Sequence, residues 1–415
     1  MIGRAHRPRR ARRTIECVRA LLLENIHPDA AAALERAGFA VETLDRALAG
    51  DELRERLEGV HLLGIRSKSH VTGQHLRDAD ALLSVGAFCI GTDQIDLKAA
   101  AAHGIAVFNA PYSNTRSVVE LALCEIIALT RGLAQKNRLM HEGVWDKSAA
   151  GAHEVRGRAL GIVGYGNIGA QLSVLAEALG MIVYFYDTVD KLALGNARRC
   201  GSLDDLLAVA DVVTLHVDGR PGNAGLFGPK QFAAMKPGAL FLNLSRGFVI
   251  DTASLREHLD SGHLGGAAVD VFAVEPSSRD EEFHSDLRGL SNVILTPHIG
   301  GSTLEAQQDI GRFVAGKMVD FVADGSTVLS VNLPPLALPE HVGTHRLAHI
   351  HHNVPGVLAA INSVLADHGV NVEGQLLGTV DDVGYVLTDI GVNYADEVLE
   401  QLRALPETVR LRVLY

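Results

Sequence analysis

The sequence predicts an α/β protein with two Rossmann-like, doubly wound parallel-sheet domains and a C-terminal ferredoxin-like βαββαβ domain. Three observations predict it. Apolar strands alternate with helices from residue 20 to residue 322, and such alternation favours a parallel sheet covered on both faces. A glycine-rich turn joins a strand to a helix at residues 164–169. After a segment that contains Pro334, Pro335 and Pro339, the element order changes to βαββαβ.

Composition and charge narrow the class of protein. The chain has 415 residues, of which 47% are hydrophobic, and a formal net charge of −11. The length predicts about three domains, and the negative charge argues against a nucleic-acid partner. We expect no membrane segment, because no apolar run reaches spanning length. Four scattered cysteines predict a cytoplasmic protein without a metal site or disulfides. Six arginines in residues 1–13 predict a disordered basic arm.

The first domain is expected to contain five strands and three helices. The strands are predicted at residues 20–24, 39–44, 61–65, 81–85 and 105–108, and the helices at 28–37, 51–57 and 97–103. Arg66, Ser67 and Lys68 directly follow the third strand. Basic pairs commonly form a solvated loop edge, but open α/β sheets bind ligands at the carboxyl ends of their strands, so these residues predict an anion-binding loop. The turn-rich segment 109–115 is interpreted as the crossing into a second domain.

The second domain is organised around the turn Gly164-x-Gly166-x-x-Gly169. The first glycine makes the tight turn, the second lets a pyrophosphate approach the backbone, and the third lets helix and strand pack closely. The helix that follows directs its free amides at the phosphates. The next strand, at 182–186, ends in Asp187. A carboxylate there accepts the ribose hydroxyls of NAD and repels the 2′-phosphate of NADP, so the sequence predicts NAD as cofactor.

The remaining elements of the second domain continue the alternation. Strands are predicted at 160–163, 212–216, 239–243, 265–271 and 292–296, and helices at 117–131, with a weaker continuation to 141, and at 168–179 and 253–261. A helix at 303–322 is expected to return the chain to the first domain. The predicted boundaries are 14–113 with 301–335 for a discontinuous substrate-binding domain, 114–300 for the NAD-binding domain, 336–344 for a linker and 345–415 for the C-terminal domain. Gly300 and Gly301 are hinge candidates.

Three strand ends of the second domain carry groups suited to the oxidation of an alcohol. Arg246 can bind a carboxylate with two parallel hydrogen bonds. His298 has a side chain whose pKa lies near the working pH, as required of a base that removes a hydroxyl proton. Glu275 can fix the tautomer of that histidine. Each residue alone would more commonly be structural, but the three together beside a dinucleotide turn predict catalysis.

These motifs resemble those of the D-isomer-specific 2-hydroxyacid dehydrogenase family over residues 19–333. The match consists of GYGNIG at 164–169, MKPG at 235–238, NLSRG at 243–247, DVFAVEP at 270–276 and TPHIGGST at 296–303. The resemblance implies that Arg246 binds the substrate carboxylate and that Glu275 supports His298, the acid/base. It also implies a set of NAD-binding residues: Gly164, Gly166, Asn167, Ile168, Gly169, Asp187, Leu244, Ser245, Arg246, Asp270, His298, Gly300 and Gly301.

Within that family, the chain is most similar to the bacterial and yeast-like branch that oxidises D-3-phosphoglycerate in the first step of serine synthesis. Segments 66–68, 86–92, 108–117 and 143–145 carry this similarity. It implies that Arg66, Ser67, Lys68 and Asn109 bind the substrate together with Arg246, with the basic side chains of the 66–68 loop at the phosphate. Lys68 and Asp218 depart from the family, in which arginine and proline are usual at these places.

The C-terminal domain is predicted as strand 347–351, helix 355–368, strands 370–378 and 384–392, helix 395–405 and strand 408–415. It resembles the ACT domains that bind serine between two paired copies. The resemblance implies a homo-oligomer, a dimer or a tetramer, in which L-serine contacts His351, Asn353 and Asn371 and inhibits the enzyme. Without a ligand, Asn353 would cap a helix and Asn371 would make a turn.

Two other functions remain open from the sequence alone. One is the reduction of another 2-oxo acid, such as 2-oxoglutarate, by the same chemistry. The other is a non-catalytic, NADH-sensing binding protein that keeps the fold. The presence of Arg246, Glu275 and His298, together with the ACT-like domain, favours the enzyme.

Overall fold

The computed structural model describes residues 18–276, 280–339 and 343–414. The predicted basic arm at residues 1–13 lies outside the described residues. The chain forms two compact units, one up to Pro111 together with the part from Gln308 onward, and the other from Tyr112 to Gln307. No helix of the described segments is long and apolar enough to span a bilayer.

The first unit contains a five-stranded parallel sheet in the order β2-β1-β3-β4-β5. Its elements are β1 (Arg19–Leu22), α1 (Pro28–Arg36), β2 (Ala40–Thr43), α2 (Gly50–Arg56), β3 (Leu62–Ile65), α3 (Gly73–Asp78), β4 (Ser84–Ala87), α4 (Leu97–Ala102) and β5 (Ala106–Phe108). Neighbouring residues of one strand enter different apolar clusters: Leu22 belongs to one cluster and Leu21 to another. Both faces of the sheet are therefore covered, as predicted for a doubly wound fold.

The second unit contains a seven-stranded parallel sheet in the order β12-β11-β10-β9-β6-β7-β8. Its elements are α5 (Thr115–Arg131), α6 (Leu133–His141), β6 (Ala159–Val163), α7 (Asn167–Ala178), β7 (Ile182–Tyr186), β8 (Arg198–Arg199), α8 (Leu203–Val209), β9 (Val212–Leu215), α9 (Pro229–Ala234), β10 (Ala239–Asn243), α10 (Thr252–Asp260), β11 (Leu264–Val269) and β12 (Val293–Leu295). The strand order reverses between β6 and β9, and ligands of such sheets bind at this switch point.

The C-terminal part of the chain follows the long helix α11 (Leu304–Asp324). Its elements are β13 (Thr344–His352), α12 (Val357–Asp367), β14 (Val372–Val380), β15 (Val383–Gly391), α13 (Asp396–Arg403) and β16 (Thr408–Val413). They form an antiparallel sheet in the order β14-β15-β13-β16. This is the predicted ferredoxin-like arrangement, which is confirmed.

One face of this antiparallel sheet shares a core with the first sheet. Ile350 and Tyr385 of the tail belong to the same apolar cluster as Phe108 and Phe321. The buried Arg346 forms a bidentate pair with Asp389 at 2.6 and 2.7 Å. Its guanidinium also donates to the carbonyl oxygens of Leu338 and Pro339, both at 2.7 Å. The described part of the predicted linker is therefore fastened to the tail, a contact for which the sequence holds no local signal.

Candidate active site

The glycine-rich turn lies at the switch point of the seven-stranded sheet. Gly164 follows β6 and has a φ of +92°, a region that L side chains rarely adopt. A Cβ on Gly164 would lie 2.6 Å from the carbonyl oxygen of His216, the residue after β9. Conformation and space both require glycine here, and the turn is held directly against the neighbouring strand end.

The other two glycines of the turn have different physical reasons. A Cβ on Gly169 would lie 2.3 Å from the carbonyl oxygen of Gly164, so this glycine is needed for the close approach of α7 to the turn. A Cβ on Gly166 would have nothing within 4 Å. Asn167 and Ile168 form the first turn of α7, where backbone amides have no helical acceptor. The space over Gly166 and these amides suit a pyrophosphate.

Asp187 lies directly after β7 and beside the same turn. Its Oδ2 accepts the backbone N–H of Tyr165 at 2.8 Å, and its Oδ1 accepts the N–H of Val189 at 2.9 Å. The carboxylate is thus fixed at the strand end where a dinucleotide ribose is expected.

Arg246 lies on a turn that Asn243 organises. The Oδ1 atom of Asn243 accepts the backbone N–H of Ser245 at 3.1 Å and its hydroxyl at 2.8 Å. The Nδ2 group of Asn243 donates to the carbonyl oxygen of Arg246 at 3.0 Å. Asn243 is fully buried at the end of β10, and Leu244 is also buried. A buried amide therefore fixes the backbone from which the Arg246 side chain extends.

His298 and Glu275 form the predicted pair. The Nδ1 atom of His298 lies 2.8 Å from Oε2 of Glu275, whose Oε1 accepts the backbone N–H of Phe272 at 3.0 Å. His298 has a φ of +53°, an uncommon conformation for a non-glycine residue. Because Nδ1 is engaged with Glu275, Nε2 is the ring nitrogen that remains for a substrate. Both side chains are partly exposed, at 49% and 36%.

The contact between His298 and Glu275 changes the pKa of both side chains. The hydrogen bond that His298 donates to Glu275 raises the pKa of His298, against the opposing effects of burial and of the Arg246 charge. Burial acts to raise the pKa of Glu275, but hydrogen bonds from His298 and the Phe272 amide outweigh it and the pKa is lowered. The carboxylate therefore stays ionised and favours the imidazolium that forms when His298 accepts a proton.

Asp270 holds the turn that carries His298. Its Oδ1 accepts the Thr296 hydroxyl at 2.6 Å and the Ile299 N–H at 2.8 Å, and its Oδ2 accepts the Gly300 N–H at 2.8 Å. A Cβ on Gly300 would lie 2.9 Å from Oδ2 of Asp270, and one on Gly301 would lie 2.2 Å from Nδ2 of Asn114. A larger residue at either position would therefore have to displace the end of the Asp270 or the Asn114 side chain; the part of the two glycines in a hinge and in NAD binding stays a prediction.

Glu125, on α5, is a buried carboxyl group near this turn. Only 2% of its surface is exposed. Burial, and then the negative charge of Asp270, raise the pKa of Glu125 to about 8. The carboxyl group is therefore neutral at pH 7, which avoids a second buried negative charge beside Asp270.

The predicted anion-binding loop belongs to the other unit and is described by itself. Arg66, Ser67 and Lys68 directly follow β3, as expected. Backbone N–H groups of this loop donate to the carboxylate of Glu24, at 2.8 to 3.1 Å. Asn109 follows β5 and is buried, and its amide donates to the carbonyl oxygen of Ile90 at 2.5 Å. This contact gives Asn109 a structural role beside the predicted substrate contact.

The three predicted effector residues occupy two separate places of the tail. His351 lies near the end of β13, buried, with Nδ1 2.8 Å from the carbonyl oxygen of His352. Its Nε2 has no hydrogen-bond partner within the described segments. Asn353 donates to the carbonyl oxygen of Asp381 at 2.9 Å, and Asn371 donates to Glu373 at 2.6 Å. Strand β15 separates β13 from β14, next to which Asn371 lies.

Several residues of these sites were not predicted. Glu24, Asn243, Thr296 and Glu125 act through buried hydrogen bonds or charge, and three of them interact with residues 26 or more positions away. Such contacts leave no periodic pattern. Asn243 and Thr296 did carry a signal, because they stand inside the NLSRG and TPHIGGST motifs already singled out for Arg246 and His298.

Comparison with known proteins shows the family to which the chain belongs. The model of the D-isomer specific 2-hydroxyacid dehydrogenase NAD-binding domain matches residues 123–300, and that of the AHAS small subunit-like ACT domain matches residues 347–410. A D-3-phosphoglycerate dehydrogenase of Haemophilus influenzae is 51% identical over 399 residues, which cover 96% of this chain and 97% of its own length. The chain belongs to the D-3-phosphoglycerate dehydrogenase family.

Further comparisons agree with this assignment. The D-3-phosphoglycerate dehydrogenase of Escherichia coli K12 is 48% identical over 401 residues, covering 96% of this chain and 98% of its own. A solved structure of NAD-dependent formate dehydrogenase from Staphylococcus aureus in complex with NAD has a TM-score of 0.63 at 26% identity, and covers 74% of this chain and 96% of its own. The predicted resemblance and the NAD cofactor are confirmed, and the chain is an NAD-dependent oxidoreductase.

Proposed function

We propose that this protein oxidises D-3-phosphoglycerate to 3-phosphohydroxypyruvate with NAD, the first step of L-serine synthesis. The observation that carries the proposal is the His298–Glu275 pair at 2.8 Å, in the same unit as Arg246 and the glycine-rich turn. Relatives of nearly the same length that are named D-3-phosphoglycerate dehydrogenase support the substrate.

The residues of the turn fit NAD. The space over Gly166, the first amides of α7 and the fixed carboxylate of Asp187 suit the pyrophosphate and the adenosine ribose. We assign Gly164, Gly166, Asn167, Ile168, Gly169 and Asp187 to that half of the cofactor. Leu244, Ser245, Arg246, Asp270, His298, Gly300 and Gly301 are assigned to the nicotinamide half. The chemistry that bound NAD supplies is acceptance of a hydride from the substrate carbon.

His298 removes the proton of the substrate hydroxyl through Nε2. Glu275 holds Nδ1, which keeps Nε2 available as a proton acceptor in the neutral ring. When the ring takes the proton, the Glu275 carboxylate stabilises the positive charge. In the reverse direction the same nitrogen returns the proton to the carbonyl oxygen.

The substrate has two anionic groups, and the chain offers a cationic group for each. Arg246 binds the carboxylate, because a guanidinium fork matches the two oxygens of a carboxylate. Arg66 and Lys68 bind the phosphate, with Ser67 and Asn109 as polar neighbours. Lysine in place of the usual arginine at position 68 keeps the charge but loses the fork.

The test is the initial rate of NADH formation by purified protein with D-3-phosphoglycerate and NAD. We expect saturable turnover with NAD and much slower turnover with NADP. A parallel assay with NADH and 2-oxoglutarate measures the other 2-oxo acid reaction. Turnover of 2-oxoglutarate alone would replace the proposed substrate, and NADH binding without any turnover would indicate a sensing protein.

We further propose that L-serine inhibits the enzyme by binding between two ACT domains of a homo-oligomer, a dimer or a tetramer. The edge strand β14 carries partly exposed apolar side chains, among them Val372 and Leu377 at 37% and 39% exposure, as expected of a strand that pairs with a second copy. Pairing of two tails also accounts for the separation of Asn371 from His351 and Asn353 within one chain. The unpartnered Nε2 of the buried His351 is suited to a ligand group.

A serine titration tests this proposal. Serine should inhibit the wild type and have a weaker effect on Asn353→Ala and Asn371→Ala. The exposed Glu400, on α13, gives the control Glu400→Ala, which should respond as the wild type does. Wild-type activity that is insensitive to serine would contradict the proposal.

The scattered cysteines and the biosynthetic role lead us to propose a cytoplasmic location.

A further inference from the structure

Glu24 has an unusual backbone at the end of the first strand of the first unit. It lies two residues after the end of β1 and has a φ of +65°, and the next residue, Asn25, has a φ of +53°. Non-glycine residues rarely occupy this region, and each such residue costs free energy that the surrounding structure must offset. Glu24 is also only 7% exposed. A buried carboxylate in a strained backbone indicates a specific role for the side chain.

The carboxylate of Glu24 accepts three backbone hydrogen bonds from one loop. Its Oε1 accepts the N–H of Arg66 at 3.1 Å and that of Ser69 at 2.8 Å. Its Oε2 accepts the N–H of Lys68 at 2.9 Å. An ionised carboxylate offers only acceptors, so it satisfies three donors that an amide side chain could not satisfy together.

A second buried side chain holds the same loop through the carbonyl group of Arg66. The Nε2 group of Gln94, which is 8% exposed, donates to the carbonyl oxygen of Arg66 at 2.5 Å. Both backbone polar groups of Arg66 are thus held by buried side chains. The Cα–Cβ directions of Arg66 and Lys68 follow from this fixed backbone.

We propose that Glu24 is a positioning residue that preorganises residues 66–69 for the substrate phosphate. It does not need to touch the substrate; it sets the backbone from which Arg66 and Lys68 reach the phosphate. A loop ordered before binding loses less conformational freedom on binding, which favours affinity. This inference rests on the proposed function, in which that loop binds the phosphate.

The charge of Glu24 taken alone would have the opposite effect. A carboxylate near an anion site repels the anion, so its neutralisation would tighten phosphate binding if charge dominated. Removal of the acceptor leaves one or more buried loop amides unsatisfied, and such groups are costly enough to change the loop conformation. If neutralising Glu24 weakens phosphate binding, its role is to position the loop. If neutralising Glu24 tightens phosphate binding, the effect of its charge dominates.

The test is Glu24→Gln, which keeps the size of the side chain and removes its charge and one of its acceptors. We expect kcat/KM for D-3-phosphoglycerate to fall about tenfold or more, mainly through KM, which is the loss expected when one charged hydrogen bond is missing. The kcat/KM for D-glycerate should change by less than about twofold, because this substrate has no phosphate for the loop to bind. The Kd of NADH should be unchanged. The matched control is Glu42→Gln, an exposed carboxylate of the same sheet that pairs with Arg56.

A double-mutant cycle identifies the route of the effect. In an Arg66→Ala/Lys68→Ala background, Glu24→Gln should change the preference for D-3-phosphoglycerate over D-glycerate by less than about twofold, because the groups it positions are gone. Equal losses on both substrates, or a lower KM for D-3-phosphoglycerate, would overturn the inference. If Arg66→Ala/Lys68→Ala itself leaves that preference unchanged, the assigned phosphate site fails instead.

Discussion

At the scale of single residues, the site depends on side chains whose partners fix their protonation and direction. Glu275 and Asp187 were predicted from their places at strand ends, and each carboxylate accepts the hydrogen bonds that hold it there. Glu24 and Glu125 were not predicted, because a buried carboxylate has no signature in the sequence until its partners are known. The chemistry of the site was therefore more predictable than the residues that position it.

Glu275→Gln tests the pairing with His298. The hydrogen bond and charge of Glu275 raise the pKa of His298, so their loss should lower it. Because the base must be neutral to accept a proton, the acidic limb of the kcat/KM profile for oxidation should move to lower pH. The measurement is that profile for the wild type and the variant. An unchanged acidic limb would show that Glu275 does not set the titration of the base.

Asp187→Ala tests the choice of cofactor. The carboxylate repels a 2′-phosphate, so its removal should reduce the ratio of kcat/KM for NAD to that for NADP. The measurement compares both cofactors at saturating D-3-phosphoglycerate. A wild type that prefers NADP would refute the assignment of this strand end to the ribose.

At the scale of elements, most strands and helices were predicted, but three short helices were not. The strand at Ala239–Asn243 has its predicted bounds, whereas α3, α8 and α9 were missed. These helices have six or seven residues, so each contains fewer than about two turns of a helical pattern. The helices α2 and α4 are equally short and were predicted. The helix predicted at 117–131 agrees with α5, and its predicted continuation to 141 is the separate helix α6, which begins after Gly132 with its φ of +60°. The part after Gly132 is mostly polar and contains no buried residue, which is why the sequence indicated it only weakly.

The glycine-rich turn gives a matched pair of variants. A Cβ on Gly169 would clash with the Gly164 carbonyl at 2.3 Å, so Gly169→Ala should destabilise the fold, by about 1–3 kcal/mol for an overpacked site. A Cβ on Gly166 meets nothing within 4 Å, so Gly166→Ala should unfold at the wild-type temperature yet bind NADH more weakly. Thermal unfolding and NADH titration of both variants measure this. Normal NADH affinity in Gly166→Ala would place the pyrophosphate elsewhere.

At the scale of the whole molecule, the sequence predicted the two parallel sheets and the antiparallel tail. It did not predict that the tail sheet shares a core with the first sheet. That core joins Ile350 and Tyr385 to Phe108 and Phe321, residues separated by 29 positions or more. A pattern along the chain shows that a face is apolar, but not which other face covers it.

The pH dependence of global stability should report the buried Glu125. Its pKa is about 8 in the folded state and 4.5 for the ordinary carboxyl group, so the folded state binds more protons between these values. The contribution to stability therefore falls as pH rises from about 4.5 to about 8. Glu125→Gln removes this dependence. The melting temperature of the variant minus that of the wild type should therefore increase as the pH rises from 5 to 8. A constant difference over that range would contradict the raised pKa.

His298 is proposed as the base for NAD-dependent oxidation of D-3-phosphoglycerate. The most direct measurement is kcat of His298→Ala with that substrate, together with the Kd of NADH for the same variant. Because the base acts on the substrate hydroxyl, we predict a loss in kcat of about 10²–10⁴-fold with NADH binding close to that of the wild type. A variant that keeps the wild-type kcat would contradict the claim.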